Sequence, residues 1–75
     1  MTEVVGEVFR KLYAPGSKSE RVAVMLKVGD EELLLRRAGG NPFQDDVLEG
    51  LVGKQIRARG QRIDVGLIME SWEEV

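Results

Sequence analysis

The stretch Phe43-Gln44-Asp45-Asp46-Val47-Leu48-Glu49-Gly50-Leu51-Val52-Gly53-Lys54-Gln55-Ile56-Arg57-Ala58-Arg59-Gly60 decides how the chain folds, because its hydrophobic period changes midway. Phe43, Val47, Leu48 and Leu51 recur at helical spacing, so they share one face of a short helix. Asn41 is placed to cap that helix and Pro42 suits its first turn. Asp45 and Asp46 favour the positive end of the helix dipole, and Gly53 is placed to stop it. From Lys54 the period drops to two: Gln55, Arg57 and Arg59 alternate with Ile56 and Ala58, a strand closed off by Gly60-Gln61.

Working outward, three extended segments precede this passage and one follows it. Val4 to Tyr13 alternates, with Val4, Gly6, Val8 and Leu12 on one face and Glu7, Phe9, Lys11 and Tyr13 on the other. Gly6 fits a bulge or sharp coil that lets one strand pair with different neighbours at its two ends. Ala14-Pro15-Gly16-Ser17-Lys18-Ser19 breaks the pattern as a loop. Arg21 to Val28 alternates again, and after the short break Gly29-Asp30 the run Leu33-Leu34-Leu35-Arg36-Arg37 returns as the third strand of a hairpin. Downstream, Ile63, Val65 and Leu67, then Ile68, Met69 and Trp72, make a fifth strand before an acidic end.

Composition narrows the function classes. Seventy-five residues suit one domain, residues 1–75, with a single small core. The chain has no Cys and no His. This removes disulfide support, thiolate metal sites, the commonest general base and the commonest metal ligand together, so a non-catalytic protein without cofactor or metal is expected. Gly39-Gly40-Asn41-Pro42 lacks the lysine and spacing of a phosphate-binding loop and reads as a tight turn with a cap. The cluster Asp45, Asp46 and Glu49 follows from the helix dipole without a cation. The first residues lack the basic start and apolar run of a secretory signal, and no stretch approaches a membrane span. A cytoplasmic protein is therefore expected, and the Met1 start reads as that of a complete chain.

The order strand, strand, strand, helix, strand, strand resembles the OB-fold, a mainly β, five-stranded Greek-key barrel with one short helix between strands 3 and 4. The residues that carry the resemblance are the early glycine in Val4-Val5-Gly6-Glu7-Val8 and the helix-to-strand passage Leu48 to Gly60. In that reading Phe43, Val47, Leu48 and Leu51 plug one mouth of the barrel. The resemblance implies a ligand surface on the outer face of strands two and three with its flanking loops. That surface is expected to present Phe9, Lys11 and Tyr13, then Arg21, Met25 and Lys27, then Arg36 or Arg37. Lys18 lies in one bordering loop, Arg59 and Arg62 border the other, and Arg57 belongs with them and Lys54 to a basic stretch with no acid between. Cations for phosphates and flat rings for bases suit single-stranded DNA or RNA.

The rest of the chain is acidic, giving a formal net charge of −2, so any such binding rests on local rather than overall charge. Ordinary solvated positions account for the same charges equally well. The alternative is a protein-interaction or self-associating module, with Phe9, Tyr13, Met25 and Leu34 supplying an apolar patch.

Overall fold

The computed structural model describes residues 1–13, 16, 18, 21–40 and 45–75, with the side chains of Tyr13 and Arg21 outside that description. Five strands, β1 (Thr2–Tyr13), β2 (Arg21–Val28), β3 (Glu31–Arg37), β4 (Gln55–Ile63) and β5 (Gly66–Glu74), are joined by one helix, α1 (Asp46–Leu51), between β3 and β4. Strand dominates the described residues, which makes the protein mainly β. All five strands belong to one sheet in the lateral order β1-β2-β3-β5-β4, and β4 pairs back onto β1, closing the sheet in a ring. Every neighbouring pair is antiparallel except β3 with β5.

Ring closure depends on β1 changing partners. Thr2 to Glu7 pairs with β4, and Glu7 to Tyr13 pairs with β2. At the hand-over the backbones approach so closely that a Cβ on Gly6 would lie 2.1 Å from the Lys27 carbonyl oxygen. Only glycine leaves room for that crossing, which is the coil expected of this residue. A second close approach bends the far side. The β4·β5 register slips between Arg59 and Gly60, and a Cβ on Gly60 would lie 1.9 Å from the Ile68 carbonyl oxygen. Gly60 is therefore a bulge inside β4 rather than the end of a strand. β4 runs on to Ile63, and the hairpin turn falls at Asp64-Val65, where Val65 is exposed instead of joining Leu67 on a buried face.

One face of each strand fills the ring. Val8, Leu26, Leu33, Leu35, Ile56, Ala58, Leu67 and Met69 are buried there, with Val4, Val24, Val28 and Trp72 partly buried around them. Removing one such leucine or isoleucine side chain from water contributes roughly 1.5–3 kcal/mol. Leu48 and Leu51 of α1 join this core, together with the half-buried Val52. Val47, expected among them, is exposed. The reason is length: in a helix of six residues the inward stripe is Leu48, Leu51 and Val52, and Val47 sits about 100° round from Leu48. Phe43, Asn41 and Pro42 lie outside the described residues.

The helix starts at Asp46, so Asp45, expected inside the first turn, is its N-cap. Asp45 Oδ1 accepts the Val47 N–H at 3.0 Å, satisfying one of the donors a helix start leaves open. Gly53 follows the last turn as expected and donates its N–H to the Val8 carbonyl at 2.8 Å, while the Val8 N–H donates to the Lys54 carbonyl at 2.9 Å. These two bonds tie the helix exit to the middle of β1.

Alternation continues past the ring with a different outcome. Leu12 shares the face of Val8, yet it is 48% exposed, and its register partner Val22 is 64% exposed. The far end of the β1·β2 hairpin extends beyond the core, so the face that is inward at Val8 meets water at Leu12.

Candidate functional site

Two outer surfaces carry the residues singled out in the sequence, and they differ in how their charges are met. On β1·β4·β5, register places Glu3 beside Arg59 and Val5 beside Arg57, with Glu73 beyond Arg57. Arg59 Nε donates to Glu3 Oε2 at 3.0 Å, and Arg57 Nη1 donates to Glu73 Oε1 at 2.8 Å. Cross contacts from Arg57 to Glu3 at 3.7 Å and from Arg59 to Glu73 at 3.9 Å complete a four-residue ladder. The hydrogen bond and charge of Glu3 raise the Arg59 pKa further above its already high ordinary value. Lys54 pairs with Glu74 at 3.2 Å, and Arg62, near the end of β4, pairs with Glu31 at the start of β3. The basic stretch Lys54, Arg57, Arg59 and Arg62 is thus matched cation by cation with acids from β1, β3 and β5.

The outer face of β1·β2·β3 is built otherwise. Phe9, Met25 and Leu34 stand side by side in register, and with Ala23 they form a second apolar cluster outside the ring. Met25 and Leu34 are only 6% and 5% exposed, and Phe9 is half-buried. The expected open apolar patch is therefore closed at Met25 and Leu34. Lys11 donates to Glu32, an ion pair reaching from β1 to β3 across β2. Its ends lie in different rows, Lys11 beside Ala23 and Glu32 beside Lys27, so the pair runs diagonally over the row that contains Met25.

Three cations on or beside this face have no acid partner among the described residues: Lys27 on β2, Arg36 on β3 and Lys18 in the β1–β2 connection. Lys27 is flanked in register by Glu7 and Glu32. Arg36 has no such acid beside it in the sheet. Its register partner on β5 is Ile68, and its Nε is closed off from solvent without an acceptor. Of the expected site residues, then, the fold brings together Phe9, Lys11, Met25, Lys27 and Arg36. It sets Arg57 and Arg59 apart from them on the acid-matched outer surface of β1·β4·β5, while Arg62, past the Gly60 bulge and level with the buried Leu67, is matched by Glu31 of β3. Arg37 faces away from this group and meets the helix cap: its Nε donates to Asp45 Oδ2 at 2.9 Å. The side chains of Tyr13 and Arg21 lie outside the described residues.

Asp45 is the carboxylate sequence reasoning undervalued. Its side chain is 5% exposed, it caps α1 with one oxygen and holds Arg37 with the other, and a Cβ on Gly40 would come within 2.4 Å of that second oxygen. Burial pushes its pKa up. The Arg37 hydrogen bond, the backbone donors of Val47 and Leu48 and the Arg37 charge outweigh that and hold it below the ordinary 3.8. The spacing of an Asp just ahead of an apolar helical stripe was the available signal.

Among the described residues no group of three His, Cys, Asp or Glu converges as a metal site would need, and no helix is long and apolar enough to cross a membrane. Comparison with protein-family models, curated proteins and solved structures returns no match.

Proposed function

We propose that this protein is a non-catalytic binding module of OB type whose ligand is single-stranded nucleic acid, held on the outer face of β1·β2·β3. The fold reading is supported by the strand order 1-2-3-5-4, the parallel β3·β5 pair and the helix between β3 and β4, an arrangement suited to a five-stranded Greek-key barrel. The ligand reading is carried by one observation: Lys27 and Arg36, which have no acid partner among the described residues, share the outer face that also presents the half-buried Phe9 ring, and Lys18 lies in the connection between β1 and β2. Phosphates need cations that are not already neutralised, and bases need a ring to stack on.

The footprint is small, and this sets the expected strength. Neutralising three phosphates of a single strand gives a slope of log affinity against log salt of about −2, from about −0.7 for each phosphate. Titrating a fluorescent single-stranded oligonucleotide at several salt concentrations measures it. No binding at low salt removes the ligand reading. A slope of about −4 or steeper returns Arg57, Arg59 and Arg62 to the contact surface.

The exposed pair Leu12 and Val22 favours a second reading, a module that docks on another protein or on its own copy through the projecting end of the β1·β2 hairpin. Size exclusion over a range of concentrations, with Leu12→Ser beside the unchanged protein, tests it. Concentration-dependent association lost in the variant favours this reading.

A further inference from the structure

We infer that the Arg36 guanidinium is a seat for an oxyanion, and, resting on the proposed nucleic-acid function, that its occupant is a backbone phosphodiester. Glu7, Lys27 and Glu32 share one outer row of β1·β2·β3, so Lys27 has acids on both sides; Phe9, Met25 and Leu34 share the next. Arg36 lies two residues beyond Leu34 on the same face of β3, beside Ile68 of β5, in a region furnished by apolar side chains. No carboxylate among the described residues pairs with it, and its Nε is shielded from water without an acceptor.

A shielded N–H with no acceptor is costly, and native proteins leave few of them. A guanidinium has no alternative protonation state with which to relieve that cost, because it stays charged at any ordinary pH. An acceptor from outside the chain removes it. A ligand that parts the groups covering Nε meets Nε–H and a neighbouring Nη–H as parallel donors, and an oxyanion with two free oxygens matches both at once. The apolar surroundings strengthen such a contact by excluding competing water. Phosphodiester and carboxylate share this chemistry. Lys27 and Lys18, without acid partners among the described residues, and the Phe9 ring on the same outer face favour the phosphodiester, since a strand supplies repeated phosphates and bases to stack.

The contrast with Arg57 and Arg59 supplies the control. Both are charged and accessible, but each already holds glutamate oxygens. They belong to the ladder and not to the seat.

The test follows the Arg36 Nε–H resonance by NMR in the whole protein during separate titrations with inorganic phosphate, oligothymidylate and a glutamate-rich peptide. In parallel, oligothymidylate affinity is measured for Arg36→Lys, Arg36→Met and Arg57→Gln/Arg59→Gln. Phosphate and oligothymidylate are expected to move the Nε–H signal more than the peptide does. Arg36→Lys, which keeps the charge but loses the fork, is expected to bind oligothymidylate about tenfold more weakly or worse, with the ladder variant much less affected. Arg36→Met is expected to keep or raise the thermal midpoint, because it deletes a costly donor; this separates a binding role from a structural one.

Oligothymidylate binding that is unchanged in Arg36→Lys overturns the seat while leaving the nucleic-acid reading intact. A phosphate-responsive Nε–H without any oligothymidylate binding supports the seat and overturns the nucleic-acid reading. A signal that answers only to the peptide overturns the phosphodiester as occupant.

Discussion

The two outer surfaces show what charge and apolar area do when they are distributed differently around one ring. On β1·β4·β5 every arginine has a glutamate from a neighbouring strand, all of these groups remain well solvated, and the surface is electrically closed. On β1·β2·β3 the surface carries its own small core of Ala23, Met25, Leu34 and Phe9, and two of its cations, Lys27 and Arg36, have no acid partner among the described residues. Exposed ion pairs add little to stability, whereas buried apolar groups add much. The surface with more salt bridges is therefore the one that matters less for holding the fold, and the surface with fewer is the one with charge to spare for a ligand.

Substitutions at five positions break or sharpen this comparison. The largest effect belongs to Gly6, where β1 leaves one surface for the other. Gly6→Ala forces a methyl group onto the Lys27 carbonyl and is expected to cost about 3 kcal/mol or more in denaturant unfolding, with both surfaces disrupted. Leu34→Ala comes next. If the outer cluster is a true second core, the loss is about 2–4 kcal/mol, and a loss under about 1 kcal/mol reduces that cluster to ordinary surface.

Asp45→Ala removes a cap and strands Arg37, for an expected loss of about 1–2 kcal/mol. Its pH signature has a definite sign. Because the folded state holds this carboxyl below its ordinary value, the stabilisation is fully present above about pH 4 and disappears as pH falls through the lower folded value. Asp45→Asn, which retains a capping oxygen, should lose that acid-range slope in unfolding measured between pH 5 and pH 2. The smallest effect is expected on the ladder. Glu3→Gln or Glu73→Gln should change stability by no more than about 0.5 kcal/mol, and a much larger loss makes the ladder a structural element.

Much of this architecture is legible in the sequence itself. The alternation in β1 and β2, the Gly29-Asp30 break and the change of period after Gly53 identify the elements and their order, because each rests on local periodicity. Boundaries were misread where one residue has two possible uses: Gly60 is as good a turn residue as a bulge residue, and only the passage of the Ile68 backbone decides between them. Long-range pairing was less legible still. Arg59 meets Glu3 across 56 positions, so the neutrality of the basic stretch follows from register and not from composition. The outer cluster left one usable trace, the unbroken run Leu33-Leu34-Leu35, since three apolar residues in succession require both faces of a strand to be buried. Alternation alone assigned the Met25 face to solvent. Arg36 and Arg37, adjacent in sequence, are separated by that same alternation: Arg37 turns to the helix cap and Arg36 to the outer face.

The lateral order also constrains when the molecule becomes whole. β5 is the last strand in sequence, yet it lies between β3 and β4 and hydrogen-bonds to both. During synthesis on a ribosome β1 and β2 have all their partners once β4 has emerged, but β3 and β4 keep bare margins until β5 follows. Nascent chains halted before Gly66 should therefore be sensitive to protease and prone to strand-to-strand aggregation, and protection should arrive in one late step.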